Sequence, residues 1–293
     1  QNLKTMLSLH CNERLTAKAK MELKTTSFET DGPTATITLS RPKRRNAWTG
    51  RMHTELRHLL QQADSEPEIR TVIITGANDD FCVGADSQAL EGHLEKGGYN
   101  SGTGSDISNP GYGIAPEFDQ NFAFMFGLNV TTIAAVNGPA AGVGLVLACY
   151  CDLRFASKHA KLTTAHGPLG LPAEFGLSWL LPRLIGLTRA NDLLISSRVI
   201  TAEETNGWGL FNEITEVSEL LPRVKSYASE LASRVSPSSQ RMTKLQVYLD
   251  QHRDVGSSVA DSEDLLRAAM LDPDYQEGVQ AFTERRAPKW KHD

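Results

Sequence analysis

Residues 133–157 read IAAVNGPAAGVGLVLACYCDLRFAS, and the change of pattern within this stretch indicates an α/β fold. It opens as the end of a short apolar run, 131–136, of the kind found in buried strands. Asn137-Gly138 interrupts that run, and small apolar residues over 142–149 predict a tightly packed helix. The apolar segment 153–156 then predicts another strand.

Strands alternating with helices are also predicted on either side of this stretch. Alternation from Ser27, around the turn signal Asp31-Gly32-Pro33, predicts a hairpin, and the β-branched run 71–75 predicts a buried strand. Thr49 is a candidate N-cap for a helix that reaches Ala63. Further predictions are helices over 118–128, 174–185 and 189–196, and a strand over 161–164.

Helical spacing dominates the chain after residue 216. Ser218 is a candidate N-cap, and later helices are predicted over 240–251 and 261–270. We therefore expect three parts: a disordered leader or extension over 1–20, an α/β core over 21–215 and a helical region over 216–293. Residues 91–116 are rich in glycine, serine and asparagine, which predicts a surface loop.

Composition narrows the function classes. The 293 residues carry a formal net charge of −5, which argues against general nucleic-acid binding. No apolar stretch reaches the length of a membrane span. The chain has four cysteines, too few for a disulfide scaffold, and Cys149 and Cys151 favour buried thiols over a metal site. We expect no metal, no membrane and a reducing, cytoplasmic location, although 1–20 could be an organellar targeting leader.

Two glycine-containing turns are candidates for chemistry. Residues 81–86 (FCVGAD) follow the strand at 71–75, and residues 137–145 (NGPAAGVGL) open a helix. Glycine at such junctions lets backbone N–H groups face a cleft, and two converging N–H groups form an oxyanion hole. Tight packing turns are the alternative. A dinucleotide fingerprint is excluded because Leu147 occupies the third glycine position.

A third segment, 165–183, contributes side chains that can titrate. Glu174 stands among apolar neighbours, a setting that raises a carboxyl pKa and suits a general base. It could equally be an acidic residue in the first turn of a helix. His166 is either a second acid/base group or a hydrogen-bonded core histidine.

Taken together, these segments resemble the crotonase (enoyl-CoA hydratase/isomerase) superfamily. The motifs that carry the resemblance run in order from about Lys24 to Trp290: TITLSRPKRRNAW (36–48), VIITGANDDFCVGAD (72–86), IAAVNGPAAGVGLVLACYCDLRFAS (133–157), GLPAEFGLSWLLPRLIG (170–186), TAEETNGWGLFNEI (201–214) and EGVQAFTERRAPKW (277–290). The resemblance implies a crotonase-like spiral of ββα units with a C-terminal helical region that makes trimers or dimers of trimers.

The resemblance also implies a substrate and site residues. The substrate would be a coenzyme A thioester, with no separate cofactor. The backbone N–H groups of Ala85 and Val143 would form the oxyanion hole. Residues near the coenzyme A nucleotide would be Lys43, Arg44, Arg45 and Ala47. Arg44 and Arg45 are candidate phosphate partners, or equally exposed solvated charges.

Departures from the family pattern shape the expected reaction. The positions of the paired hydratase glutamates hold Val146 and His166, whereas Glu174 matches the single glutamate of the family's enoyl-CoA isomerases. We therefore expect double-bond isomerisation with Glu174 as the base. The alternatives are hydration, hydrolysis or carbon–carbon cleavage with water positioned by His166 and Glu174, and an acyl-CoA-binding protein without catalysis.

Overall fold

The computed structural model describes residues 21–88, 90, 91, 118 and 120–290. The described strands are β1 (Thr26–Asp31), β2 (Thr34–Leu39), β3 (Thr71–Gly76), β4 (Thr131–Val136), β5 (Ala140–Ala141), β6 (Leu153–Ser157), β7 (Lys161–Thr163), β8 (Ile200–Thr201) and β9 (Glu213–Thr215). The α-helices with assigned bounds are α1 (Gly50–Ser65), α2 (Val143–Tyr150), α3 (Leu177–Ile185), α4 (Leu187–Ser196), α5 (Val217–Arg234), α6 (Pro237–Asp250), α7 (Val255–Ala269) and α8 (Pro273–Glu284). The expected leader over 1–20 and all but residue 91 of the expected loop over 91–116 lie outside the described residues.

Six strands form the main sheet, in the order β1-β2-β3-β4-β6-β9. β1 and β2 make the predicted antiparallel hairpin, and every other pair in this sheet is parallel. Parallel strands need crossover connections, which the intervening helices supply. The α/β prediction and the strand predictions over 71–75 and 131–136 are confirmed.

Both faces of the main sheet are covered, because all residues of β3 and β4 are buried. On one face Ile73 and Phe155 pack with Leu220 and Val224 of α5. On the other face Ile74 joins the larger cluster that includes α1 and α2. Such two-sided burial explains why these strands read as continuous apolar runs.

A second, smaller sheet fixes the position of the glycine-containing turn at residues 137–145. It has three strands in the order β5-β7-β8. Ala140 and Ala141 pair with Leu162 and Thr163, so the turn is held against the segment that leads to His166. The two sheets therefore bring the third segment of the sequence analysis beside the second.

The predicted N-cap of α1 is confirmed, because the Thr49 side chain accepts a hydrogen bond from the Met52 N–H. The predicted cap Ser218 is wrong: α5 begins at Val217 after Glu216, which makes no side-chain cap. The helix expected over 118–128 is, in its described part, a 3₁₀ turn at Ala123–Gly127. Phe122 precedes that turn with φ 62°, a conformation that does not continue a helix.

The helix expected to start at Glu174 begins at Leu177 instead. Phe175 and Gly176 have φ values of 47° and 72°, and these left-handed residues prevent an earlier start. Glu174 therefore lies in the turn before α3, and the first-turn explanation for its charge no longer applies.

The predicted C-terminal helical region is confirmed as α5–α8, and α8 was not predicted. α6 is tied to the sheet by Lys244, whose ammonium donates to the Val130 carbonyl and pairs with Asp152 at 2.8 Å. The Tyr248 hydroxyl donates to the same carboxylate. A buried, fully partnered network of this kind fixes how the helix sits on the core.

Candidate active site

The two glycine-containing turns lie side by side. The Cys82 N–H donates to the Pro139 carbonyl and the Ala141 N–H donates to the Cys82 carbonyl, each at 3.0 Å. Gly144 is required for this approach, because a Cβ there would lie 2.2 Å from the Cys82 oxygen. The backbone pairing, and not any side chain, sets the distance between the turns.

Ala85 follows a glycine with φ 97°, a value that L side chains rarely adopt. The Trp48 N–H donates to the Gly84 carbonyl, and the Asp86 N–H donates to the Trp48 carbonyl. In a parallel bridge of this kind the middle residue turns its own N–H away from the partner strand. The Ala85 N–H therefore faces away from Trp48.

Val143 is the first residue of α2 and also follows a special glycine. Gly142 has φ 48° and ψ −121°, a combination that excludes residues with a Cβ. Helix N-termini leave their first N–H groups without intrahelical partners. Neither the Val143 N–H nor the Ala85 N–H has an acceptor in the described part of the chain.

Glu174 lies close to this turn. A Cβ placed on Gly142 would be 3.8 Å from the Glu174 Oε2, so the carboxylate lies beside the residue that orients the Val143 N–H. Glu174 is half-buried and has no hydrogen-bond partner among the described residues. Burial raises its pKa, and the charge of His166 opposes that rise.

The turn that carries Glu174 is held by a tyrosine. The Tyr150 hydroxyl, at the end of α2, donates to the Phe175 carbonyl at 2.7 Å. A Cβ on Gly176 would lie 2.9 Å from the same hydroxyl oxygen. Tyr150 thus couples α2, which begins at the glycine turn, to the residue next to Glu174.

His166 is buried, and its Nε2 lies 2.9 Å from the Leu194 carbonyl oxygen. Because a carbonyl only accepts, Nε2 must carry the proton of this hydrogen bond. Nδ1 then keeps a lone pair in the neutral ring. The structure thus shows His166 as a hydrogen-bonded core histidine, and its role as a second acid/base group stays a prediction.

Residues 41–47 brace the turn at Ala85. Arg41 and Arg44 pair with the Asp86 carboxylate at 2.9 and 3.0 Å, and Arg45 pairs with Asp80 at 2.7 Å. Burial would raise the Asp86 pKa, but the hydrogen bonds from Arg44 and Arg41 hold it below its ordinary value. Arg44 and Arg45 are thus already paired with carboxylates, and their role with coenzyme A stays a prediction.

A cluster of aromatic side chains, which sequence reasoning missed, reaches the turn at Ala85 and the turn at Glu174. Its members are Trp48, His53, Phe122, Tyr150 and Phe175. They come from distant parts of the chain, so no local spacing could reveal their contacts. The one available signal was a histidine on the apolar face of α1.

The thiols at positions 149 and 151 are buried, and burial raises the pKa of Cys149 to about 11. Over the described ranges, no group of at least three His, Cys, Asp or Glu residues could hold a metal ion. The same ranges contain no helix that is long and apolar enough to cross a membrane.

The chain is similar to known proteins in both sequence and fold. A family model described as enoyl-CoA hydratase/isomerase matches residues 29–293. The 1,2-epoxyphenylacetyl-CoA isomerase of Escherichia coli K12 is 30% identical over 264 residues, covering 87% of this chain and 94% of that protein. The short-chain-enoyl-CoA hydratase of Clostridium acetobutylicum is 28% identical, with 91% and 97% covered. The structure of an enoyl-CoA hydratase from Bacillus anthracis superimposes with a TM-score of 0.79 at 28% identity, covering 92% of this chain and 100% of that one.

The fold and these matches define an enzyme of the crotonase class that acts on acyl-CoA thioesters. The chain belongs to the enoyl-CoA hydratase/isomerase family. The expected resemblance and the crotonase-like fold are thereby confirmed.

Proposed function

We propose that this protein isomerises a 3-enoyl-CoA to the conjugated 2-enoyl-CoA, with Glu174 as the base. One observation carries the proposal: an unpartnered, half-buried carboxylate lies beside the Gly142 turn, next to a backbone N–H that has no acceptor in the described chain. A carboxylate with a raised pKa beside such a donor suits proton abstraction next to a thioester carbonyl.

The proposed reaction moves one proton and no other atom. The thioester oxygen accepts hydrogen bonds from the Ala85 and Val143 N–H groups, which stabilise the negative charge that develops on it. Glu174 removes a proton from C2, giving a dienolate, and returns the proton to C4. The double bond then lies between C2 and C3, in conjugation with the carbonyl.

The residues at the hydratase positions favour this reaction over hydration. Val146, in α2, is buried and apolar, so it offers no second carboxylate for activating water. His166 is the other titratable group near Glu174 and keeps hydration or thioester hydrolysis as the second candidate. A protein that binds acyl-CoA without turnover is the third.

An absorbance assay tests the proposal. Purified protein is mixed with 3-hexenoyl-CoA, and the conjugated thioester is followed in parallel runs of the wild type, Glu174→Gln and the exposed control Glu29→Gln. We expect a fast rise that Glu174→Gln abolishes and Glu29→Gln preserves. Water addition to 2-hexenoyl-CoA that outpaces the isomerisation would favour the second candidate. Tight thioester binding with no turnover would favour the third.

We further propose that Lys43, Arg44, Arg45 and Ala47 lie near the coenzyme A nucleotide. Arg45 is exposed and pairs only at the surface with Asp80, so a phosphate could replace that carboxylate at small cost. Arg45→Gln should raise KM and weaken its salt dependence while leaving kcat unchanged. An unchanged KM would remove Arg45 from the nucleotide site.

A homotrimer or a dimer of trimers is also proposed. Large apolar side chains are exposed on and beside α7 and α8, including Val255, Leu271 and Phe282 at 80%, 82% and 86%. Clusters of this kind mark interfaces between protein chains. Light scattering should give three or six times the monomer mass, and a monomer would contradict the proposal. A cytoplasmic location likewise stays a prediction.

A further inference from the structure

We propose that Trp48 and His53 recognise a hydroxyl group on the acyl part of the substrate. The inference rests on the proposed action on acyl-CoA thioesters and adds a substrate class to it: hydroxylated acyl groups. It concerns side chains of the aromatic cluster, which the isomerisation chemistry does not use.

Three ring nitrogens in this cluster are buried without a hydrogen-bond partner among the described residues. They are Nε1 of Trp48 and both Nδ1 and Nε2 of His53, in side chains that are only 4% and 2% exposed. Buried polar atoms in native proteins are almost always hydrogen-bonded, because leaving one unpaired costs about 1–3 kcal/mol. Three such atoms on two rings in contact indicate a site where a polar ligand supplies the missing hydrogen bonds.

The two rings are in direct contact. Their centroids are 5.9 Å apart in an edge-to-face arrangement, and each lies 5.7 Å from the Phe122 ring. One small group can therefore contact both side chains. Phe122 adopts φ 62°, a left-handed conformation that is uncommon outside glycine.

The cluster is joined to both halves of the candidate active site. Trp48 is hydrogen-bonded through its backbone to Gly84 and Asp86, on either side of Ala85. At the other end, the Phe122 ring lies 5.1 Å from the ring of Phe175, the chain neighbour of Glu174. A thioester held between Ala85 and Glu174 would extend its acyl group along this cluster.

The chemistry of the unpaired atoms favours a hydroxyl. Burial, with a smaller contribution from the Arg57 charge, lowers the pKa of His53 to about 4, so the ring is neutral near pH 7. A neutral imidazole offers one donor and one acceptor, and the indole offers one donor. A hydroxyl can accept from Trp48 and donate to His53. A carboxylate or a ketone has no proton to donate, and an alkyl chain satisfies none of these atoms.

Binding of matched saturated thioesters to the wild-type protein tests the inference. Calorimetry would compare butanoyl-, hexanoyl- and octanoyl-CoA with their 4-, 6- and 8-hydroxy counterparts, which scan the distance from the carbonyl. We expect one hydroxylated thioester to bind about tenfold more tightly than its parent, as one or two new buried hydrogen bonds provide. A gain below about threefold at every length, within the spread expected of a single weak hydrogen bond, would overturn the inference.

Three variants locate the effect. Trp48→Phe removes the indole N–H together with the five-membered ring, and His53→Leu removes both imidazole nitrogens. Met52→Leu is the control, because it changes the volume of a buried neighbour of His53 on α1 without removing a hydrogen-bonding group. The hydroxyl preference should fall in the first two and persist in the third. A preference that survives both Trp48→Phe and His53→Leu would place the hydroxyl elsewhere and overturn the inference.

These measurements separate the inference from the proposed function, because saturated thioesters have no double bond to isomerise. Turnover of 3-hexenoyl-CoA without any preference for hydroxylated thioesters would contradict the inference and support the isomerase proposal. A preference for one hydroxylated thioester without turnover of 3-hexenoyl-CoA would support the inference and contradict the isomerase proposal.

Discussion

Two glutamates of this protein occupy opposite environments. Glu55, on α1, is fully buried and accepts hydrogen bonds from Arg51, from the Lys24 and Thr25 N–H groups and from two threonine hydroxyls. Burial alone would raise the Glu55 pKa, but these donors hold it below the ordinary value. Glu174 is less buried, yet it has no hydrogen-bond partner in the described chain, and burial raises its pKa.

The contrast shows how one residue type serves structure and chemistry. A satisfied carboxylate stabilises the fold and is a poor base, since every lone pair already has a donor. An unsatisfied carboxylate costs stability and is ready to take a proton. The hydrogen bonds of Glu55 hold the start of β1 against α1, whereas the Glu174 carboxylate, beside the Gly142 turn, has no donor among the described residues.

The largest expected effect comes from removing the unsatisfied carboxylate. Glu174→Gln should lower kcat for 3-enoyl-CoA isomerisation by about 10²–10⁴, the contribution typical of one acid/base group. Because the charged form of Glu174 is disfavoured by burial, the same variant should unfold in urea no earlier than the wild type. The absorbance assay measures kcat, and urea denaturation measures the stability of the variant. A destabilised Glu174→Gln protein would mean that Glu174, like Glu55, holds the fold.

The glycine beside Glu174 should be nearly as sensitive. Gly142→Ala places a Cβ where φ is 48° and ψ is −121°, so the peptide that carries the Val143 N–H must rotate. Losing one oxyanion donor costs about 10²–10³ in kcat. Gly32→Ala is the matched control, because Gly32 has φ 53° in open space on the β1–β2 turn. Equal activity losses in both variants would assign the effect to strain alone.

Removing the satisfied carboxylate should affect stability instead. Glu55→Gln leaves Arg51 and two backbone N–H groups with weaker partners, and should lower the free energy of unfolding by about 3 kcal/mol. The kcat of the folded fraction should match the wild type. Chemical denaturation and an active-site titration separate these quantities. A large loss of kcat with unchanged stability would show that Glu55 serves the reaction and not the fold, contrary to the difference drawn between the two glutamates.

Sequence reasoning reached most of the fold because β3 and β4 are buried on both faces and therefore read as continuous apolar runs. It placed Glu174 beside apolar neighbours correctly, but it put this residue inside a helix. The left-handed conformations of Phe175 and Gly176 stop that helix, and the Tyr150 hydroxyl that holds the turn comes from a distant segment. Sequence spacing carries no information about such a contact.

Contacts between distant segments also explain the charges around the glycine-containing turn of residues 81–86. Arg44 and Arg45 could be read as phosphate partners or as solvated charges, and their pairing with carboxylates more than thirty positions away was not foreseen. The aromatic cluster was invisible for a related reason: its rings meet only because the sheets bring α1, α2 and the turn at Phe122 together. Motifs that lie within one segment could be predicted, and contacts between segments could not.

A smaller effect is expected from the tyrosine that holds the Glu174 turn. Tyr150→Phe removes the hydrogen bond to the Phe175 carbonyl and should cost about 1 kcal/mol of stability. Because the turn would hold Glu174 less firmly, kcat should fall by roughly tenfold with little change in KM. Tyr227→Phe, on the opposite face of the sheet, is the control. A change confined to KM would remove Tyr150 from the positioning of the base.

The smallest effect concerns the pH profile. Glu174 acts as a base only when ionised, and burial raises its pKa, so the acid limb of kcat/KM should lie above the ordinary glutamate value of 4.5. The charge of His166 lowers the Glu174 pKa, and His166→Gln should therefore move the limb to higher pH. The exposed His159→Gln should leave the limb in place. A shift to lower pH in His166→Gln would show that His166 does not act on Glu174 through its charge.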